Sequence, residues 1–253
     1  MKAQVAKIFR SIQVYFPYLQ DYRFQFQRRL RNLLNRTHEK DFEVLSQLPH
    51  SSNNLFLDIG SNRGEAIQSI LMRRPDAKII AFEPNSYLIE KVKKLYKNDN
   101  RVEFYNFGLG SEGGTYELYI PFYNNYMFDG LASFKEENAR GWLKNRLYGF
   151  QNKRLKIKKM ICEVKRLDDF MLKPYFIKID VQGFEYEVLL GAKNTIIESK
   201  PILLIETPGQ KEMQLLSAMG YESLIYKNSK LIPGKGNLNV FFIPKQKRRH
   251  QQR

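Results

Sequence analysis

The sequence predicts an α/β fold: a mostly parallel sheet with helices on both faces, preceded by a helical, basic N-terminal extension. Three observations carry this. From Leu55 onward, short apolar runs alternate with amphipathic stretches, the pattern of successive βαβ units. The first unit reads Leu55-Phe56-Leu57-Asp58-Ile59-Gly60-Ser61-Asn62-Arg63-Gly64 and runs into a helix-like segment, the strand-turn-helix start of a nucleotide-type unit. The last two apolar runs, 221–226 and 239–243, are separated by the turn-like Pro233-Gly234-Lys235-Gly236, so they must pair antiparallel.

Composition bounds the function. At 253 residues the chain can bury a full core as one domain, or as one domain with an appendage, and 43% hydrophobic residues argue against gross disorder. The single cysteine, Cys162, excludes an internal disulfide and a Cys-based zinc cage and fits a reducing compartment. No apolar run reaches the roughly 18 to 20 residues that span a bilayer, and Arg10 interrupts any N-terminal signal-like core. The expectation is a cytoplasmic protein, peripheral at the inner membrane surface if its N-terminus engages lipid.

The net charge of +16 is uneven. Residues 135–166 hold eleven Lys/Arg against three acids, residues 240–253 five against none, and residues 1–50 nine against four. Such patches attract phosphate-bearing partners, whether nucleic acid, anionic lipid or a phosphorylated substrate, or simply keep a surface solvated.

Residues 1–50 place Val5, Ile8, Phe9, Ile12 and Phe16, then Phe26, Leu30, Leu33 and Leu34, at helical spacing, with Pro17 as a break. Arginines interleave with the aromatics, so these helices either lie on an anionic membrane surface or pack across the following domain as a cover.

The strands then follow in order: Leu55–Ile59, Lys78–Phe82, residues 102–107, 115–120, 176–180 and Ile202–Glu206, then the antiparallel pair. Helices are expected over 64–73, 85–97, 184–190 and 211–219, and in part over 135–154. Ligands in open α/β sheets bind beyond the carboxyl ends of the strands, so Asp58, Glu83, Asp180 and Glu206 should converge on one edge.

Glu83 stands about 20 residues after the glycine loop, where an acid reaches a ribose hydroxyl pair. Gly60 would let the backbone pass close to a ligand and Gly64 would let the helix start against the strand. The loop is Asp-x-Gly-x-x-x-Gly, not a pyrophosphate cradle. A carboxylate at Asp58 repels phosphate and suits the ammonium and sulfonium of S-adenosylmethionine; the alternative is an ordinary βαβ turn whose Asp58 caps a helix.

Together these pieces resemble the FkbM-type S-adenosylmethionine-dependent methyltransferases. The likeness covers roughly residues 55–243. It rests on the Leu57 to Gly64 loop, on Ala81-Phe82-Glu83-Pro84-Asn85, on Lys178-Ile179-Asp180-Val181-Gln182-Gly183-Phe184-Glu185, on Val188-Leu189-Leu190-Gly191-Ala192 and on Lys200-Pro201-Ile202 leading to Glu206. Ser61 and Gln182 stand where the family commonly has Ala and often has Glu.

The resemblance implies the Rossmann-like class I methyltransferase fold, with seven strands in order 3-2-1-4-5-7-6 and strand seven antiparallel. It divides the chain into a basic extension (1–50), a methyltransferase domain (51–245) and a basic tail (246–253). It also implies O-methylation of a sugar hydroxyl in a glycan or of a small natural product. Residues 115–166 are longer and more basic than the family core, and substrate choice is expected there.

Methyl transfer to a hydroxyl needs a base. His38, His50 and His250 lie outside the predicted sheet, so a carboxylate is the better candidate: Asp180 first, then Glu185 one helical turn on and Glu206 on the neighbouring strand end. Asp180 and Glu206 lack a third obvious ligand for a metal, and no metal site is predicted. Asp58, Gly60, Ser61, Asn62, Gly64, Glu83, Phe107 and Gly108 are the candidate cofactor contacts. An RNA methyltransferase and a non-catalytic, membrane-associated module with the same fold stay open as alternatives. No specific nucleic-acid partner is expected, and the sequence does not set an oligomeric state.

Overall fold

Most of the apolar runs assemble into one sheet, in which five neighbouring strands, out to one edge, are parallel. The computed structural model describes residues 2–49, 54–234, 236 and 238–246. Among these, the N-terminal helices α1 (Lys2–Gln13) and α2 (Gln20–Leu33) flank a short 3-10 turn, Pro17–Leu19, with proline at its first position. A 3-10 stretch, Lys40–Gln47, leads to β1 (Leu55–Ile59), α3 (Glu65–Arg73), β2 (Lys78–Phe82), α4 (Ser86–Leu95) and β3 (Val102–Tyr105). Asn85 starts α4 by accepting the Tyr87 N–H on its side chain at 3.1 Å, an N-cap.

An inserted region follows: β4 (Gly108–Leu109), β5 (Gly114–Tyr123), β6 (Tyr126–Met127), α5 (Glu136–Gly141) and β7 (Leu155–Lys165). The chain then returns through β8 (Phe176–Ile179), α6 (Glu185–Gly191), α7 (Lys193–Ser199), β9 (Ile202–Glu206) and α8 (Gln210–Ala218) to β10 (Tyr221–Lys227), β11 (Lys230–Pro233) and β12 (Asn239–Pro244).

The main sheet runs β11-β10-β12-β9-β8-β1-β2-β3. It has eight strands where seven were expected. The polar stretch between β10 and β12 is not only a turn: residues 230–233 fold back and pair antiparallel with β10 at the open edge. β12 inserts antiparallel between β10 and β9, as the two-run pattern required.

Helices cover both faces. On one, Ile67, Ile70 and Val92 join Phe42, Val44 and Leu45 against Phe56, Ile79 and Phe241. On the other, Val188, Leu189, Ile196 and Leu216 pack on Leu57, Ile177 and Leu203. Residues 40–48 thus belong to the core.

The insertion forms a second sheet, β4-β7-β5-β6. β7 carries no strand signal in the sequence, because the strand changes its covered face midway. Leu155 packs in one cluster with Tyr123 and Phe150, whereas Met160 and Cys162 pack in another with Leu118 and Ile120, so no single period-2 alternation runs through it. Among the described residues no helix is long and apolar enough to cross a membrane. The basic tail 247–253, His50, His250 and Lys235 lie outside the described residues.

Candidate active site

Parallel strands β1, β2, β8 and β9 end on the same edge, and the loops leaving them are tied together by backbone bonds. Gly60 and Ser61 donate to the Phe82 carbonyl at 3.0 and 3.1 Å, and Asp180 donates to the Ile59 carbonyl at 3.0 Å. Two adjoining cavities open there. The first is walled by Gly60, Glu83, Gly108, Leu118 and Phe134; the second by His38, Glu39, Ser61, Lys178 and Glu206. Asn62, Gly130, Asp180 and Gln182 line both.

Glu83 is buried, and each carboxylate oxygen accepts one backbone N–H: Oε2 from Asn62 at 2.7 Å, Oε1 from Asn85 at 2.9 Å. Burial pushes its carboxyl up to about 7, against the pull of those two N–H groups. Each oxygen keeps further acceptor capacity, and Glu83 lines the first cavity.

Lys178 is a cation inside a buried strand. Its Nζ lies 3.4 Å from Asp58 and 3.3 Å from Asp180, and donates to the Gly60 carbonyl at 3.1 Å. Burial works against its charge, and the two aspartates more than offset that, so it stays charged. Gln182 donates to Asp180 at 2.8 Å and to Glu206 at 3.3 Å.

Asp180 and Glu206 divide one proton between them. Burial and the neighbouring Asp180 raise Glu206 to about 9, while Lys178 and hydrogen bonds from Glu206, Gln182 and Lys178 itself overcome the burial of Asp180 and hold it low. The pair therefore holds one proton between its two carboxyls, and Lys178 and Gln182 favour the charge on Asp180.

Several expectations change. Asp58 does not reach either cavity: its side chain is 0% exposed and faces Lys178, its register partner across β1 and β8, so its charge is met by lysine from below. Phe107 turns into the core, stacked on Phe170 at 5.6 Å and packed against Phe82. Gly64 lines neither cavity; a Cβ there would meet Val92 at 2.9 Å, so this glycine lets α3 start against α4. The Glu185 carboxylate points back to its own loop and accepts from the Val181 and Gly183 N–H groups at 3.3 and 3.1 Å, a positioning role.

Other groups were missed. His38, set aside for lying outside the sheet, lines the second cavity because the chain before β1 folds across the strand ends; its Nδ1 is buried without a partner. Arg63 bridges Asp21 on α2, at 2.8 Å, to Asp129 in the insertion, so three distant segments close over the loop after β1. Lys178 had a legible signal, a lysine inside the run Phe176-Ile177-Lys178-Ile179 beside an Asp-bearing strand.

Residues 58–223 match the methyltransferase FkbM domain, which spans more than half of the chain. The chain belongs to the FkbM methyltransferase family. The FkbM chain is 27% identical over 154 residues to a 2-O-methyltransferase, NoeI, of Sinorhizobium fredii, covering 58% of this chain and 60% of that one. It is 24% identical over 221 residues to the AMB antimetabolite synthetase AmbE of Pseudomonas aeruginosa, covering 74% of this chain and 10% of that one. A methyltransferase FkbM from Methylobacillus flagellatus superposes with TM-score 0.51 at 18% identity, over 81% of this chain and 48% of that one, and so shares the fold. The FkbM chain thus spans under two thirds of these relatives.

This chain carries an S-adenosylmethionine-dependent methyltransferase domain. Its residues fit the cofactor: the Glu83 carboxyl stands in the wall of one cavity, and in the adjoining one the buried Ser61 hydroxyl has no hydrogen-bond partner. Among the described residues no group of three or more His, Cys, Asp or Glu is placed to hold a metal ion.

Proposed function

We propose that this chain methylates a hydroxyl oxygen of a saccharide, a glycan or a small natural product. The observation that carries this is the Asp180 carboxylate at the junction of the two cavities, held by Lys178 at 3.3 Å and Gln182 at 2.8 Å, with Glu206 beside it. A hydroxyl is a poor nucleophile until its proton is taken, and Asp180 is the anion placed to take it. Bound S-adenosylmethionine supplies the methyl group as a sulfonium electrophile. Glu83 holds its ribose hydroxyls, Gly60, Asn62 and Gly108 shape the wall beside it, and Ser61 offers a hydrogen bond to its polar end. His38, Glu39, Asn239 and Gln182 line the second cavity with donors and acceptors suited to a polyhydroxylated acceptor. The likeness to a 2-O-methyltransferase supports oxygen as the target.

Labelled-methyl transfer from S-adenosylmethionine to lipid-linked glycans, free sugars and RNA tests this. Label is expected in a saccharide and absent from RNA. Base-specific, salt-resistant labelling of RNA would replace this reading.

Cofactor affinity should depend on pH through Glu83. Its free-protein pKa is raised to about 7, and ribose hydroxyls donate to the ionised form, so binding lowers that pKa and releases a proton. Affinity is therefore expected to rise by up to about tenfold per pH unit below 7 and to level off above it. Calorimetry from pH 5.5 to 8.5 in buffers of different ionisation enthalpy reads both effects. A flat profile would remove Glu83 from the ribose site.

A further inference from the structure

The N-terminal helices dock with the wrong face inward for helices that serve the core. A surface helix normally buries its apolar stripe. In α1 the residues turned to the protein are Lys7, whose Nζ sits 4.7 Å over the Tyr148 ring, Arg10, which donates to the Arg146 carbonyl at 3.2 Å, and Ser11, which accepts the Tyr148 N–H at 2.8 Å, with Val14 below them. The apolar stripe, Val5, Ile8, Phe9, Ile12 and Phe16, is left 43 to 59% exposed. In α2, Gln20 and Arg31 face inward, donating to the Met127 carbonyl and Glu65, while Tyr22, Phe26, Leu30 and Leu33 stand outward and exposed. Apolar faces of this extent on both helices mark an interaction surface.

The segment beside them supplies the charge. Residues 141–159 carry seven Lys/Arg and no acid, and α1 packs directly on this segment through Trp142, Arg146 and Tyr148, with Arg154 reaching Tyr15 at 3.1 Å. Two stretches far apart in sequence, one apolar-faced and one basic, are thus joined in one platform.

We propose that this platform binds an anionic lipid surface, with the outward faces of α1 and α2 entering the headgroup boundary and the 141–159 cations meeting lipid phosphates. Charge complementarity decides the occupant. A second copy would bring two such cationic segments together and be repelled, whereas anionic lipid attracts them. RNA would meet the cations and the exposed rings, but it would leave the aliphatic Val5, Ile8, Ile12 and Leu33 uncovered, whereas a lipid boundary buries them. Tyr15, Tyr18 and Tyr22, all exposed, suit the boundary between headgroup and acyl chain. This surface is distinct from the cavities at the strand ends, and its test does not depend on the proposed acceptor.

The experiment is co-sedimentation of the full chain with phosphatidylcholine vesicles with and without phosphatidylglycerol. Wild type is expected to bind the anionic vesicles, less so in high salt. Phe9→Ser with Ile12→Ser, both outward-facing, should lower partitioning at least about tenfold with melting temperature and cofactor affinity unchanged. Lys144→Gln, Lys153→Gln and Lys156→Gln together should lower it about as much on anionic vesicles only. Wild type that ignores both vesicle types, or a double-serine variant that binds as well as wild type, would overturn the proposal. Sedimentation velocity on both proteins completes the test. Without vesicle binding, a wild-type dimer that the double variant returns to monomer assigns the surface to a second copy. RNA binding lost in that variant, again without vesicle binding, assigns it to nucleic acid.

Discussion

Asp180→Asn is expected to cut single-turnover methyl transfer by at least about 100-fold at saturating cofactor, the usual lower bound for loss of a general base. The substitution keeps the shape and the hydrogen bond with Gln182 but removes the anion that takes the acceptor proton. A residue that only anchored the cofactor would show its loss in cofactor affinity instead. Because Glu206 holds the pair's proton up to about 9, the wild-type rate should also rise with pH toward that value, as the pair gives up this proton and becomes the stronger base. Glu206→Gln keeps a donor beside Asp180 but cannot ionise, so it should flatten this rise. Near wild-type transfer by Asp180→Asn would move the base elsewhere, and His38, in the same cavity, is the next residue to change.

Gly60→Val should prevent stable folding rather than merely exclude the cofactor. Gly60 has φ +81°, a left-handed conformation that β-branched residues rarely adopt, and a Cβ built there falls 1.9 Å from the Asp180 carbonyl oxygen. That neighbour is backbone, held by the bond from the Asp180 N–H to Ile59, so it cannot step aside as a side chain would. We expect a loss of more than about 4 kcal/mol of stability, read as a collapse of the thermal transition or as insoluble protein. A variant that melts like wild type yet fails to bind S-adenosylmethionine would show that the glycine instead serves close ligand approach, as the sequence alone suggested.

The candidate site was legible in the sequence where a residue's position follows from its own strand end. Glu83, Asp180 and Glu206 each close an apolar run, and parallel strands put such positions on one edge whatever the loops do. Asp58 was misplaced for a related reason: it lies one residue inside β1, and the pleat turns its side chain onto the same face as Lys178. Phe107 was read as a cofactor contact from its place near a strand end, but the aromatic cluster of Phe82, Tyr105 and Phe170 draws its ring inward.

The sequence by itself determined the α/β class, the glycine loop, the antiparallel finish of the sheet and the family, because periodicity and short-range motifs encode local geometry. Only the tertiary structure decided the rest. It brought His38 across the strand ends, joined Asp21, Arg63 and Asp129 over the loop after β1, and set α1 with its polar face against the 141–159 segment. Amphipathicity states that a helix has an apolar face. Which way that face turns depends on what the partner surface offers, and here the partner offered a carbonyl, an N–H and two aromatic rings to Lys7, Arg10 and Ser11.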